Sequence, residues 1–313
     1  MNEKDVIQNF ISKQQHNSVA YGIGDDCAVV NPSPGHQLVV TTDSMVEGIH
    51  FVKQSPAYEI GYKLMATNIS DIASMCALPK WATLNLTIKT YNKKWLKNFS
   101  NGLLDCANQH NIALVGGDTT LGDHLVMSLQ LIGEIPIGDA RLRENAVIGD
   151  AVFMTGKVGY ASQALKHLID NNYQHSSLTT SQISALYKPP SRVSIAIALR
   201  HLIHACVDIS DGLLHELEII CERSATGAKL MLERIPIPQD AEILQVITAG
   251  DDYELLFTAD AKHEQEISQI ANAVGCEITL IGHIIGDNSV MLTLNDQRVD
   301  YPEISGYDHF ASS

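Results

Sequence analysis

Nine aspartates of this chain lie at the predicted ends of strands, in glycine-rich turns or in one helix, and most of them stand beside glycine or hydroxyl residues. They are Asp25, Asp26, Asp43, Asp71, Asp118, Asp208, Asp211, Asp251 and Asp252. Loops at the ends of strands are where α/β proteins build their sites. If several of these carboxylates converge, a hard divalent cation relieves their repulsion, and carboxylate, hydroxyl and carbonyl oxygens suit Mg²⁺. Because Mg²⁺ usually completes its shell with substrate phosphates, the pattern favours a nucleotide triphosphate as ligand.

Each aspartate taken alone also fits a structural role. An aspartate next to glycine is commonly a turn residue or a helix N-cap, and Asp211-Gly212 before a helix is such a case. The segment Gly22–Gly24 lacks the third glycine of a dinucleotide-binding fingerprint, since Cys27 stands there. The Walker A pattern, the protein-kinase motifs and the serine-hydrolase elbow are absent from the sequence. Metal and nucleotide binding are therefore inferred from the nine aspartates taken together, not from any one of them.

Composition indicates a folded, acidic chain. It has 313 residues, of which 45% are hydrophobic and 18% charged, close to the globular norm, so wholesale disorder is excluded. Lysine and arginine total 21 and aspartate and glutamate total 36, giving a net charge of −15. Such a charge disfavours binding to a nucleic-acid backbone. The length predicts two domains, at roughly 100–200 residues each.

The six cysteines are scattered and long apolar runs are absent, and both features bear on where in the cell the protein is expected. No CxxC pair occurs, so a zinc site is not expected, and a disulfide framework is not expected in a chain of this length. No run reaches the roughly 18 apolar residues of a membrane helix, and the first residues lack a signal-peptide core. We therefore expect a cytoplasmic protein without a membrane partner.

Helical and alternating patterns follow one another along the whole chain. Helices are predicted over 3–13, 57–76, 92–110, 159–171 and 192–203, with a further helix after Gly212. Strands are predicted over 38–43, 81–89, 112–115, 124–134, 151–155 and 254–258. This mixed order favours an α/β or α+β fold over a helical bundle or a β-sandwich. The glycine- and charge-rich stretch 136–150 predicts a boundary between domains 1–143 and 144–313.

Eight short segments in one order, from about residue 20 to 310, carry a family resemblance. They read GIGDDCA (22–28), TTD (41–43), GIHF (48–51), NISD (68–71), GGDTT (116–120), VDISDGL (207–213), DYEL (252–255) and GYDHF (306–310). Each segment is unspecific alone, but together they resemble the thiamine-monophosphate kinases, within the superfamily of aminoimidazole ribonucleotide synthetase. The resemblance implies a two-domain architecture of mixed sheets. It also implies a homodimer formed through the N-terminal domain, which binds ATP and Mg²⁺, while the C-terminal domain completes the nucleotide and substrate site.

The reaction that the resemblance implies is ATP plus thiamine monophosphate giving ADP plus thiamine diphosphate. It implies direct in-line transfer with several Mg²⁺ ions, and neither a covalent phospho-enzyme nor a catalytic nucleophile. This agrees with the residues, because phosphoryl transfer needs little from the protein beyond positioning and charge neutralisation.

The resemblance also assigns roles residue by residue. The implied metal ligands are Asp26, Thr41, Thr42, Asp43, Asp71, Asp118, Asp208 and Asp211. The implied nucleotide contacts are Gly117, Asp118, Arg143 and Ser210. The implied contacts to thiamine monophosphate are His50, Asp251 and Tyr307. The ring of Tyr307 would stack on a ring of the substrate, which carries a cationic thiazolium.

Two positions depart from the family pattern, and other functions stay open. Asp251 stands where relatives often have glutamate, and His110 stands near a position where relatives can carry an aromatic residue. Alternatives are another ATP-using member of the superfamily, of the formylglycinamidine cyclase or selenophosphate synthetase type, or a nucleotide-binding module without activity. The first cysteine, Cys27, lies inside the GIGDDCA segment, which disfavours a selenophosphate synthetase with its reactive N-terminal cysteine or selenocysteine.

Overall fold

A computed structural model describes residues 9–10, 16–302 and 306. The chain forms two compact units. The N-terminal unit comprises Met1–Ile72 and Ala77–Gly138, and the C-terminal unit comprises Ala73–Cys76 and Asp139–Ser313. The fold is a mixed α/β architecture, which confirms the predicted class. None of the helices in the described residues is long and apolar enough to cross a membrane.

A four-stranded sheet forms the centre of the N-terminal unit, in the order β3-β6-β4-β5. Its strands are β3 His36–Val46, β4 Leu78–Ile88, β5 Ala113–Leu121 and β6 Val126–Pro136. The pair β4–β5 is parallel, and β6 runs antiparallel to both β3 and β4. A small antiparallel pair, β1 Val19–Tyr21 and β2 Val29–Val30, precedes the sheet. The edge positions of β3 and β5 matter because the predicted ligands lie on these two strands.

Helices α1 Ala57–Ser74 and α2 Lys93–Gln109 belong to the same part of the chain and pack closely. A Cβ atom on Gly61 would lie 2.1 Å from the carbonyl oxygen of Phe99. One on Gly102 would lie 1.9 Å from the carbonyl oxygen of Tyr58. Only glycine allows this approach, so the backbones of the two helices are in direct contact at these two positions.

The C-terminal unit contains a seven-stranded sheet in the order β13-β12-β9-β11-β7-β10-β8. Its strands are β7 Asp150–Thr155, β8 Ile203–Asp208, β9 Gly227–Met231, β10 Leu255–Asp260, β11 Ile278–Ile285, β12 Val290–Leu294 and β13 Gln297–Arg298. All neighbouring pairs are antiparallel except β9–β12, which is parallel. Its helices are α3 Tyr160–Asp170, α4 Thr180–Tyr187, α5 Val193–Leu199, α6 Leu213–Ser224, α7 Ile243–Thr248 and α8 Glu264–Val274.

Helix α6 is the element of the C-terminal unit that matters most for the site. Leu213, Leu217 and Ile220 are fully buried at helical spacing and join a core with residues of β7, β8 and β9. Gly212 precedes the helix with φ of 127°, a conformation that favours glycine. The turn before α6, which carries Ser210 and Asp211, is therefore fixed by a buried helix.

Two strands extend further than the sequence pattern indicates. Thr41, Thr42 and Asp43 lie within β3 instead of at its end, and Gly116–Thr120 continues β5 instead of forming a turn. Polar residues are tolerated there because both strands are edges of the sheet and one side of β3 is exposed. The predicted helix 3–13 lies outside the described residues, apart from the turn at 9–10.

Candidate functional site

The N-terminal unit brings three of the predicted metal ligands together between β3 and α1. Thr41 Oγ1 donates a hydrogen bond to Asp71 Oδ2 at 2.5 Å. The main-chain amide of Asp43 donates to Asn68 Oδ1 at 3.3 Å, and Asn68 lies on the same helix as Asp71. Side chains alternate along a strand, so Thr41 and Asp43 share one face of β3 while Thr42 points to the exposed opposite face.

A second cluster lies around the glycines of β5. A pocket of about 460 Å³ is lined by the segments 23–28 and 114–119 together with Phe10 and Leu84, and it includes Asp26, Gly117 and Asp118. Gly117 has φ of 146°, and a Cβ atom there would lie 1.8 Å from the carbonyl oxygen of Leu84. Only glycine fits at this position, and its main chain is left open to a ligand in the pocket.

Asp118 follows directly, and its Oδ1 accepts a hydrogen bond from the amide of Thr119 at 2.8 Å. Strand pairing places Asp43 and Gly117 in one row across the four strands. Three spacings of about 4.8 Å separate the edge strands, so the two clusters lie about 14 Å apart along the sheet.

The C-terminal unit brings together Asp208, Ser210, Asp211 and Asp251. Strand β8 ends at Asp208, which is buried, and the segment 250–254 lies alongside 208–211. The amide of Asp251 donates to the carbonyl oxygen of Ser210 at 2.7 Å, and that of Tyr253 donates to Ile209 at 2.8 Å. Asp251 and Tyr253 have φ of 78° and 52°. Residues other than glycine rarely adopt a positive φ, so the surroundings of Asp251 and Tyr253 impose this backbone conformation.

Buried hydrogen bonds and one ion pair hold the segment 250–254 in place. Both carboxylate oxygens of Asp252 accept from the amide of Gly159, at 2.9 and 3.0 Å, just before α3. Glu254 accepts two hydrogen bonds from Arg192 and one from Thr155, all at 2.6 Å. Both residues belong to the DYEL segment, but the sequence pattern predicts no role for them. Their structural partners lie 62 to 99 residues away, which no local pattern reveals.

Glu216, on the first turn of α6, lies beside two predicted nucleotide contacts and was not itself predicted. Ser210 Oγ donates to Glu216 Oε1 at 3.4 Å, and Arg143 Nη2 lies 3.9 Å from Oε2. Burial raises the pKa of the Glu216 carboxyl to about 7, although the nearby Arg143 guanidinium favours the charged form. A signal was present, because Glu216 is the polar residue three positions after Leu213 on the apolar face of the helix.

Three further positions remain: the predicted substrate contacts His50 and Tyr307, and His110, which departs from the family pattern without being assigned a role. His50 follows β3, and its Nδ1 accepts from the amide of Val46 at 3.1 Å, so the proton of its neutral ring is on Nε2. His110 ends α2, and burial lowers its pKa. Tyr307 lies outside the described residues, whereas Gly306 packs against the main chain of Asp211.

The donor chemistry of these clusters suits Mg²⁺. Within the described residues, no group of three or more histidine, cysteine, aspartate or glutamate side chains is arranged to hold a metal by itself. The predicted ligands are hard oxygens in small groups, such as Asp71 with the Thr41 hydroxyl. Mg²⁺ is usually bound by one or two carboxylates plus substrate phosphates and water, so incomplete protein shells fit this ion.

Comparisons with known proteins agree with the two-unit fold. Residues 24–135 match the family described as AIR synthase related protein, N-terminal domain, and residues 147–295 match the corresponding C-terminal domain. The chain is thus a two-domain protein of the AIR synthase related class.

Relatives that match this chain over nearly its full length identify the family within this class. The thiamine-monophosphate kinase of Buchnera aphidicola subsp. Acyrthosiphon pisum is 34% identical over 98% of both chains. The crystal structure of thiamine-monophosphate kinase from Stenotrophomonas maltophilia K279a is 34% identical, with a TM-score of 0.82 over 92% of this chain and 94% of that one. The complex of AaThiL with AMPPCP and TMP is 25% identical, with a TM-score of 0.78 over 92% of each chain. The chain belongs to the thiamine-monophosphate kinase family and is a kinase.

Proposed function

We propose that this protein transfers the γ-phosphoryl group of ATP to thiamine monophosphate, giving ADP and thiamine diphosphate. Family membership supports the reaction, and the relative AaThiL is known in complex with AMPPCP and TMP. The observation that carries the proposal is the pocket around Gly117, where an open glycine backbone lies beside Asp26 and Asp118. Such a backbone with carboxylates suits a phosphate chain bound together with metal ions.

Several Mg²⁺ ions belong to this proposal, and they would neutralise charge that develops on the phosphoryl oxygens. In the N-terminal unit we assign them to Asp26, Thr41, Asp43, Asp71 and Asp118. Thr42 is kept as a ligand on the family resemblance alone, since its side chain points to the opposite face of β3 from Thr41 and Asp43. In the C-terminal unit we assign them to Asp208 and Asp211. The separation of about 14 Å along the sheet between the β3 and β5 clusters supports more than one ion.

The remaining side chains position the two substrates for in-line transfer. The nucleotide contacts are assigned to Gly117, Asp118, Arg143 and Ser210. The planar guanidinium of Arg143 suits two phosphate oxygens at once. His50, Asp251 and Tyr307 contact thiamine monophosphate. The acceptor phosphate is already anionic at neutral pH, so no general base and no covalent intermediate are required.

A direct assay tests this function. Purified protein is incubated with ATP, Mg²⁺ and thiamine monophosphate, and thiamine diphosphate is measured by chromatography. We expect product from the monophosphate, none from free thiamine or an aminoimidazole ribonucleotide precursor, and complete loss with EDTA. Binding of ATP without product from thiamine monophosphate would contradict the proposal. Turnover of the precursor would point to a cyclase, and absence of any turnover would point to a binding module.

We also propose that the protein is a homodimer formed through the N-terminal unit. The face of β3 opposite α1 carries Leu38 and Val40, whose exposed fractions are 47% and 56%. An exposed apolar face on an edge strand is typical of an interface between subunits. Homodimers usually bury such surface in symmetric contacts.

Val40→Glu is expected to shift the protein toward monomers, because a dimer would have to bury an unpaired carboxylate. Analytical ultracentrifugation measures the change. Leu294→Glu is the matched control, since Leu294 is a similarly exposed apolar residue on β12 of the other unit. A wild-type protein that sediments as a monomer would overturn the dimer.

A cytoplasmic location completes the proposal. All six cysteines are free thiols, and five of them are buried. Free thiols are typical of proteins in a reducing compartment.

A further inference from the structure

Glu216 is a buried carboxylate whose surroundings are only partly explained by the fold. Its side chain is 2% exposed, on the first turn of α6. Oε1 accepts from Ser210 Oγ at 3.4 Å, and the nearby main-chain amide of Asp211 acts to lower the pKa of the carboxyl, against the larger effect of burial. Oε2 is buried and makes no hydrogen bond to any of the described residues.

Burying a carboxylate in a helix-core interface is costly unless it is paired and hydrogen-bonded. An apolar side chain at position 216 would continue the buried face of Leu213, Leu217 and Ile220 without that cost. The first turn of a helix favours an acidic residue, but this effect does not require burial. The retention of a buried acid here therefore points to a role beyond folding.

The guanidinium of Arg143 faces the unsatisfied oxygen, with Nη2 3.9 Å from Oε2. Its main chain is fixed at the other end of α6, because Ser224 Oγ donates to the carbonyl oxygen of Arg143 at 3.1 Å. The same hydroxyl accepts from the amide of Ala146, and Arg223 pairs with Glu144 at 3.1 Å. The main chain of Arg143 is therefore held in place by hydrogen bonds. Its side chain is 48% exposed, and the Glu216 carboxylate orients the guanidinium.

We propose that Glu216 is a positioning residue for the nucleotide. Its carboxylate directs the guanidinium of Arg143 and holds the Ser210–Asp211 turn, so that both present donors to phosphate oxygens. A guanidinium has five N–H donors, so a carboxylate on one side leaves others for an anionic ligand. The inference rests on the proposed function, in which Arg143 and Ser210 are the nucleotide contacts.

Glu216→Gln is expected to raise KM for ATP about tenfold while kcat changes less than about threefold, since the loss of one charged contact weakens binding by this order. Glutamine keeps the size and the acceptor for Ser210 but loses the charge that holds Arg143. KM for thiamine monophosphate should stay unchanged. Calorimetric titration with ATP and Mg²⁺, without acceptor, should show the same tenfold loss.

A double-mutant cycle separates positioning through Arg143 from a general structural effect. In an Arg143→Met background, Glu216→Gln should have little further effect on ATP affinity. If the carboxylate had a purely structural role, Glu216→Gln would weaken ATP binding equally in both backgrounds. Glu222→Gln, on the exposed side of the same helix, is the matched control and should leave ATP affinity unchanged.

Glu216→Asp provides a second variant if the glutamine variant folds poorly, because it keeps the charge on a shorter side chain. We expect it to lose about threefold in ATP affinity, less than the glutamine variant. Wild-type affinity in folded Glu216→Gln, or equal losses in both arms of the cycle, would overturn the inference while leaving the proposed function intact. A wild-type protein that binds no ATP would overturn the proposed function, and this inference with it.

Discussion

Asp71→Asn is expected to lower turnover of thiamine monophosphate by about 10²- to 10³-fold, the order seen when one electrostatic contact to a transition state is removed. Asparagine keeps the shape and retains an acceptor for the Thr41 hydroxyl, whose bond to Asp71 is 2.5 Å long. It removes the negative charge that we assign to Mg²⁺. Asp118→Asn, in the pocket beside Gly117, should have an effect of similar size. Both are measured by the chromatographic assay at saturating Mg²⁺.

The metal-free Asp71 variant should not be less stable than the wild type. Asp71 lies in the last turn of α1, where a negative charge is unfavourable by about 0.3–1 kcal/mol, so asparagine should raise the melting temperature slightly. Asp170→Asn is the matched control, because Asp170 is the exposed last residue of α3. It should give the same small stabilisation without loss of activity. Near-wild-type turnover of both site variants would show that the metal assignment is wrong.

Arg192→Met is expected to lower the free energy of unfolding by about 3–5 kcal/mol, because it leaves a buried carboxylate without its cation. Glu254 is 4% exposed and accepts two hydrogen bonds from Arg192 at 2.6 Å. The remaining donor, the Thr155 hydroxyl, carries no charge. Urea denaturation measures the loss as a lower midpoint at an unchanged slope.

The surface pair between Arg200 and Asp139 provides the control for that prediction. Its N–O distance is 3.3 Å, but the Asp139 side chain is 41% exposed, so Arg200→Met should cost at most about 1 kcal/mol. Adding Glu254→Gln to Arg192→Met should recover part of the stability, since the uncompensated charge is then removed. A loss below about 1 kcal/mol for Arg192→Met alone would show that the buried pair does not stabilise the segment 250–254.

Local periodicity was sufficient to predict elements whose burial follows a regular pattern. The helix after Gly212 and the alternating strand over 81–89 were predicted and correspond to α6 and β4. The extent of β3 and β5 was not, because a glycine pair and a run of polar residues are typical of turns. Those residues stay in the strands because the neighbouring strands β6 and β4 supply hydrogen bonds along their whole length.

The supporting residues of the candidate site could not be predicted in this way. Asp252 caps α3 through Gly159, and Glu254 binds Arg192, but each pair is far apart in the sequence. Glu216 was missed because a single polar residue on an apolar helical face has no partner that the sequence identifies. Contacts of this kind depend on how the sheets bring distant segments together.

The four residues Ala73–Cys76 belong to the C-terminal unit although they lie in the N-terminal half of the chain. Within that unit, the amide of Arg141 donates to the carbonyl oxygen of Met75 at 3.4 Å, and the nearby Cys76 thiol raises the pKa of Cys206. A chimaera joined to a relative near residue 140 would take these four residues from one parent and their partners from the other. Recombinants of this family therefore need matched residues at positions 75, 76 and 206, or a crossover that moves 73–76 together with the C-terminal half.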